Sequence, residues 1–174
     1  MQILETDRLV LSRLSPEDAP FILELVNEPD WLRFIGDRNV HDLDGARAYI
    51  ERVRAEMYAR HGFGLYKVAS RSGAVPLGMC GLLKRDSLPD ADIGFAFLAR
   101  HRGRGYAHEA ARACLDQGRR AFGLTRILAI TNPENLSSIR LLEKLGFRFV
   151  ERLHLEGHGG DSNLYEQLPS DPGL

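Results

Sequence analysis

Two glycines one residue apart, Gly103 and Gly105, sit among Arg100, Arg102 and Arg104 and lead into Tyr106-Ala107-His108-Glu109. Glycine lets a backbone curl tightly and come close to another molecule. A strand-like run, Ile93 to Leu98, precedes the curl, and a long amphipathic pattern follows it. A helix starting here points its free N–H groups and the positive end of its dipole back into the curl. The chemistry this predicts is capture of a phosphate group, with the backbone as the main donor and the arginine side chains as secondary ones. His101 reads as a solvated loop residue.

A second stretch with chemical content is Asn135-Leu136-Ser137-Ser138, followed by Glu143-Lys144-Leu145-Gly146-Phe147. Asn135 or Glu134 can start a short helix, and Asn135 can cap it. Asp92 heads the strand before the glycine curl, a carboxylate that stands either as a base or as a solvated strand end. Trp31 and Phe34 fall in an apolar piece, residues 31–36, without a clear period; it reads as either a core-covering loop or the wall of a substrate pocket. Cys80 and Cys114 lie in apolar runs without metal-type spacing, so reduced core cysteines are expected and no metal.

These residues need elements to hold them. Leu9 to Leu14 alternates like a strand. Ser15-Pro16-Glu17-Asp18 opens a helix with apolar positions at Phe21, Ile22, Leu25 and Val26. A second helix is expected from about Asp42 to Ala59. Strands at 64–70, 77–84 and 92–98 follow, the first two joined by the turn Arg71-Ser72-Gly73. This is an antiparallel meander. The helix at 105–122 carries a stripe of small residues, Ala107, Ala110, Ala111, Cys114 and Gly118, suited to lying close to a sheet. Arg126 to Thr131 is a continuous apolar run, as in a strand covered on both faces. Strand 92–98, helix 105–122 and strand 126–131 make a βαβ crossover and hence a parallel pair. A short helix after Asn135, a strand from Phe147 to Val150, a loop from His154 to Gly160 and a last strand from Ser162 to Leu168 complete the chain.

At 174 residues with 44% hydrophobic and 27% charged residues, one domain over residues 1–168 is expected, with 169–174 as a mobile tail. The formal net charge of −1 argues against nucleic acid or an anionic membrane as partner. No apolar run approaches the ~20 residues of a membrane helix, and the first residues show no signal pattern. The cytoplasm is the expected location.

Taken together, Arg102-Gly103-Arg104-Gly105-Tyr106-Ala107 and Asn135 to Phe147 make the sequence resemble the GNAT superfamily of acyl-CoA-dependent N-acyltransferases. The opening Leu4-Glu5-Thr6-Asp7-Arg8-Leu9-Val10-Leu11 and the Ser-Pro-Glu-Asp helix start are similar to the subgroup of ribosomal-protein N-terminal (alanine/serine) acetyltransferases. The likeness spans roughly residues 3–168. It implies an α/β fold: a mixed, mostly antiparallel sheet of six to seven strands, a central parallel pair that splays apart, and about four helices on both faces. It implies acetyl-CoA as co-substrate and direct attack of a neutral primary amine on the thioester.

Under that resemblance, Arg102, Gly103, Arg104, Gly105, Tyr106 and Ala107 hold the pyrophosphate. Phe97 or Leu98 offers a strand-edge N–H to the thioester oxygen. Asn135 holds the pantetheine arm. Many relatives carry a tyrosine where this chain has Leu142, so Ser138 becomes the candidate to meet the leaving thiolate, against its plain reading as a first-turn helix serine. Asp92 is the candidate base, with Asp90, His154 and His158 behind it. Trp31 and Phe34 are the substrate-binding candidates. The acceptor is a protein N-terminus or a small-molecule amine, and a non-catalytic acyl-CoA sensor is the alternative from a different class. A monomer or homodimer fits equally.

Overall fold

The computed structural model describes residues 1–155 and 160–169. His158 and residues 170–174 of the expected tail lie outside them. The strands are β1 (Gln2–Glu5), β2 (Leu9–Arg13), β3 (Leu65–Ser70), β4 (Pro76–Leu83), β5 (Asp92–Phe97), β6 (Ile127–Thr131), β7 (Arg148–His154) and β8 (Asp161–Gln167). They form one eight-stranded sheet in the order β1-β2-β3-β4-β5-β6-β8-β7. All neighbours are antiparallel except β5 and β6. The sheet has more strands than the expected six to seven because Gln2–Glu5 adds an edge strand. Its four residues are too short to show a period.

Helices cover both faces. On one lie α1 (Ala19–Leu25), α2 (Pro29–Phe34) and α3 (Leu43–Val53), packed with Leu14, Met79 and Leu98 into a cluster that includes Ile22, Ile50 and Trp31. Asp18 closes the turn before α1 by accepting the Ser15 N–H at 2.9 Å, the capping geometry its Ser-Pro-Glu-Asp sequence calls for. Asp42 caps α3 by accepting the Gly45 N–H at 2.7 Å. The predicted second helix is interrupted by a π turn at Arg54–Tyr58 before α4 (Ala59–His61). The turn carries the buried Tyr58, whose hydroxyl accepts the Leu14 N–H at 3.1 Å and donates to the Leu65 carbonyl. The region around Trp31, without helical period in the sequence, is the short helix α2.

On the other face lie α5 (Tyr106–Phe122) and α6 (Leu136–Lys144). Ala110, Ala111 and Cys114 are fully buried there. A Cβ on Gly118 would come within 2.6 Å of Leu82 Cδ1, so small side chains set the distance from α5 to the sheet. Cys80 and Cys114 are free and buried.

The sheet opens at its centre. β5 and β6 share a single register pair, Asp92 with Leu128, next to the Leu128 N–H to Ala91 carbonyl bond at 2.9 Å. Beyond it the two strands part, and among the described residues no strand pairs with Phe95 to Phe97 on that side. A parallel pair that splays leaves unpaired backbone N–H groups along one strand, and such groups need a partner.

Candidate active site

A cavity of about 860 Å³ occupies the gap and reaches the turn before α5. Gly103 and Gly105 have φ of +77° and +78°, left-handed values that a side chain disfavours. They wind the backbone so that Gly105 stands at the N-cap of α5. Gly103, Gly105, Tyr106 and Ala107 line the cavity. The turn is braced from outside: Arg8 donates through Nε to Glu109 at 2.8 Å and through a terminal nitrogen to the Arg104 carbonyl at 2.9 Å. Thr6 donates to Glu109 at 2.5 Å. The Arg8 guanidinium lies 4.6 Å from the Tyr106 ring centroid.

The arginines of the turn are largely committed to carboxylates. Arg100 pairs with Glu24, and Arg102 pairs with Asp30 and, at 3.5 Å, with Glu28. Arg102 also donates through Nε to the Phe97 carbonyl at 3.0 Å. Arg104 is exposed and is the member of residues 102–107 that does not line the cavity. Its expected cofactor contact is therefore left to its neighbours. His101 is half-buried on the cavity wall rather than solvated. Burial, with the charges of Arg100 and Arg104, holds its imidazole below the usual value.

The two strand-edge candidates separate cleanly. The Leu98 N–H donates to the Leu77 carbonyl at 2.9 Å, and Leu98 is fully buried. Its N–H is spent, which corrects the expectation that it serves the ligand. Phe97 stands opposite Gly78, and with Leu98 bonded across to Leu77 the alternation of an antiparallel ladder turns the Phe97 N–H away from β4. It faces the gap left by β6.

A second cavity, about 330 Å³, continues from the first. Trp31, Phe34, Phe95, Ala96, Asn135 and Ser138 line both, so the structure brings together residues that are far apart in the sequence. Asn135 caps α6 by accepting the Ser138 N–H at 3.3 Å, which fixes where the serine hydroxyl starts. Trp31 is 5% exposed, and its indole N–H has no partner among the described residues. Leu142 is buried and lines only the smaller cavity of the two.

Asp92 is not on either wall. It is fully buried at the closed end of the parallel pair, with Arg85 Nε 3.1 and 3.2 Å from its two oxygens. Burial raises its carboxyl above the ordinary value while Arg85 pulls it down. Asp92 therefore does not itself border either cavity, whereas Arg85, which holds it, lines the smaller one. Asp90 pairs with Arg126 at 3.3 Å and His154 lies 3.6 Å from Asp161, both away from the cavities. Two cationic residues escaped the sequence reading, Arg140 and Lys144, which line the larger cavity with Ser137 and Leu141. Their spacing, i, i+3, i+4 and i+7, marks one face of α6 and is the signal that could have found them.

Residues 8–148 match the family model described as an acetyltransferase (GNAT) domain. The chain belongs to the GNAT acetyltransferase family. This GNAT protein is 33% identical over 157 residues to the uncharacterized protein YkkB of Bacillus subtilis (strain 168), covering 86% of this chain and 87% of that one. It is 28% identical over 169 residues to the uncharacterized N-acetyltransferase YoaA of the same organism, covering 94% of each. Its fold matches that of ribosomal-protein-S5-alanine acetyltransferase from Vibrio fischeri with a TM-score of 0.79 at 18% identity, over 98% of each chain. The GNAT chain is thus an acetyl-CoA-dependent acetyltransferase, and the glycine turn, the splayed strands and the capped α6 fit that donor. The larger cavity is of a size to take an elongated ligand. No helix among the described residues is long and apolar enough to cross a membrane.

Proposed function

We propose that this enzyme transfers an acetyl group from acetyl-CoA, held in the larger cavity, to a primary amine that enters by the smaller one, in the cytoplasm. The observation that carries this is the meeting of the two cavities at Phe95, Ala96, Asn135 and Ser138, against the unpaired edge of β5. The donor supplies an activated thioester; the chain supplies placement and charge. Backbone N–H groups of Gly103, Gly105, Tyr106 and Ala107 bind the pyrophosphate, with Arg140 and Lys144 adding positive charge along the wall. The Phe97 N–H donates to the thioester oxygen as it gains charge, a preorganised dipole in a site sheltered from water. Ser138 donates to the departing sulfur, since a thiol of pKa about 8.5 leaves more readily with a hydrogen bond.

An α-amine has a pKa of about 8, so part of it is neutral near pH 7 and water can take its proton. That requirement is met without a buried base, in keeping with the sequestered Asp92. A peptide or protein N-terminus is the favoured acceptor; the Vibrio fischeri protein of the same fold, a ribosomal-protein-S5-alanine acetyltransferase, supports this class. The test is thiol release from acetyl-CoA over a panel of N-terminal peptides and small amines. Turnover on peptides with free α-amines, and its loss when they are blocked, is the expected result. Acetyl-CoA binding without turnover on any amine would overturn it.

A further inference from the structure

The smaller cavity is charged as well as apolar. Arg38, Arg52 and Arg85 line it, against one acid, Glu56. The three arginines share this cavity wall with the buried Tyr49, and Arg52 lies 5.8 Å from the Tyr49 ring centroid. Arg85 is held by Asp92 through Nε. Among the described residues, neither Arg38 nor Arg52 has a carboxylate within 4.0 Å, whereas Arg54 on the same helical segment pairs with Glu51 at 3.6 Å. Free guanidiniums on a cavity wall are planar donors suited to a carboxylate.

Resting on the proposed entry of the acceptor by this cavity, we infer that the acceptor is a primary amine bearing a carboxylate, which the Arg38–Arg52–Arg85 cluster binds while the amine sits at the junction of the cavities. The register sets the scale. The junction is at Phe95 and Ala96, and Arg85 is anchored at Asp92. Three residues of strand are roughly 10 Å at ~3.3 Å per residue, and the Arg85 guanidinium stands at the Asp92 end of that span. Amine and carboxylate are therefore separated by more than the single carbon of an α-amino acid. Two sources supply that chemistry: an acidic side chain next to a peptide's N-terminus, or the terminal carboxylate of a dipeptide-sized molecule.

Two matched pairs of acceptors separate them. The dipeptide amides alanyl-glutamate and alanyl-glutamine differ only in a side-chain charge. Alanyl-alanine and its C-terminal amide differ only in the terminal charge. The readouts are kcat/KM by thiol release and binding to the CoA-loaded protein by calorimetry. Preference of tenfold or more for the charged member of the first pair identifies an acidic peptide; the same preference in the second identifies a small acid. In either case Arg38→Gln and Arg52→Gln should bring the ratio towards one and Arg52→Lys should restore part of it. These positions are exposed or half-buried, so folding is not at stake. Turnover of all four acceptors without a charge preference leaves the transferase reading standing and overturns this one. A preference that survives both glutamine variants also overturns it. Neither turnover nor binding of any probe overturns both.

Discussion

Arg85 Nε lies 3.1 and 3.2 Å from the two oxygens of Asp92, and this contact ties the buried carboxylate at the head of the central strand to an arginine. The side chains are 28% and 1% exposed. The acid is locked away, while the guanidinium that neutralises it borders the smaller cavity.

The pair makes a pH-dependent stability prediction. Removing the guanidinium in Arg85→Gln leaves burial to raise the Asp92 carboxyl further. A group with a raised folded value binds its proton more tightly in the folded state, so stability is lost as pH rises from about 4 through that value. Arg85→Gln should thus show little loss of Tm near pH 4 and a growing one towards pH 8, where breaking a buried pair costs about 3 kcal/mol. Adding Asp92→Asn should remove most of the pH dependence. Thermal melts across that range check both; a deficit independent of pH would refute the assignment.

The glycine turn separates ligand binding from folding better at one position than at the other. A Cβ on Gly105 meets an Arg8 terminal nitrogen at 3.3 Å, so Gly105→Val strains the brace as well as the turn. A Cβ on Gly103 meets nothing within 4 Å. Gly103→Ala therefore carries mainly the left-handed backbone cost, about 1–2 kcal/mol, yet places a methyl on the cavity lining. Its acetyl-CoA affinity should fall tenfold or more by calorimetry while thermal melts show a folded protein. Unchanged affinity would remove this turn from the donor site.

The glycine turn and the cap of α6 were legible in the sequence because they are local. Glycines that must take positive φ, and a cap three residues before the serine whose N–H it binds, write their geometry into consecutive residues. The parallel pair was legible too, since a continuous apolar strand after a helix leaves few topologies. What the sequence hid is set by partners far along the chain. That the Leu98 N–H is spent depends on Leu77, and Asp92 is sequestered by Arg85 through a turn whose path has no sequence signature. The short helix at Pro29–Phe34 has too few residues for a period. The smaller cavity draws Arg38, Arg52 and Arg85 from three separate segments, so no spacing announces it.

Glu109 ties the β1–β2 turn to the start of α5, and its titration gives a second window. Burial would raise its carboxyl, but hydrogen bonds from Thr6 and from the Arg8 side chain and backbone outweigh this and leave it below its usual value. A depressed carboxyl contributes stability that is present above the unfolded value of about 4.3 and is lost as pH falls through the folded one. Glu109→Gln should accordingly destabilise by about 1–2 kcal/mol at pH 7 and approach the wild type at an acid pH below the folded value. Melts at the two pH values decide it. A deficit of equal size at both would mean that the charge is not what binds the two elements together.

Ser138 carries the sharpest kinetic expectation, because Leu142 has no group to offer the leaving sulfur. Asn135 holds the first turn of α6 through the Ser138 N–H, so removal of the hydroxyl leaves the helix cap in place. Ser138→Ala should lower kcat by about a hundred- to a thousandfold, the range for loss of one hydrogen bond to a charge that develops in the transition state. Acetyl-CoA affinity should change little. A slower thiol should restore the distinction: a donor with a poorer leaving group must suffer more from the substitution than one with a better leaving group. If Ser138→Ala keeps full turnover, or if its defect is the same for both donors, the serine is a helix residue and the thiolate departs unaided.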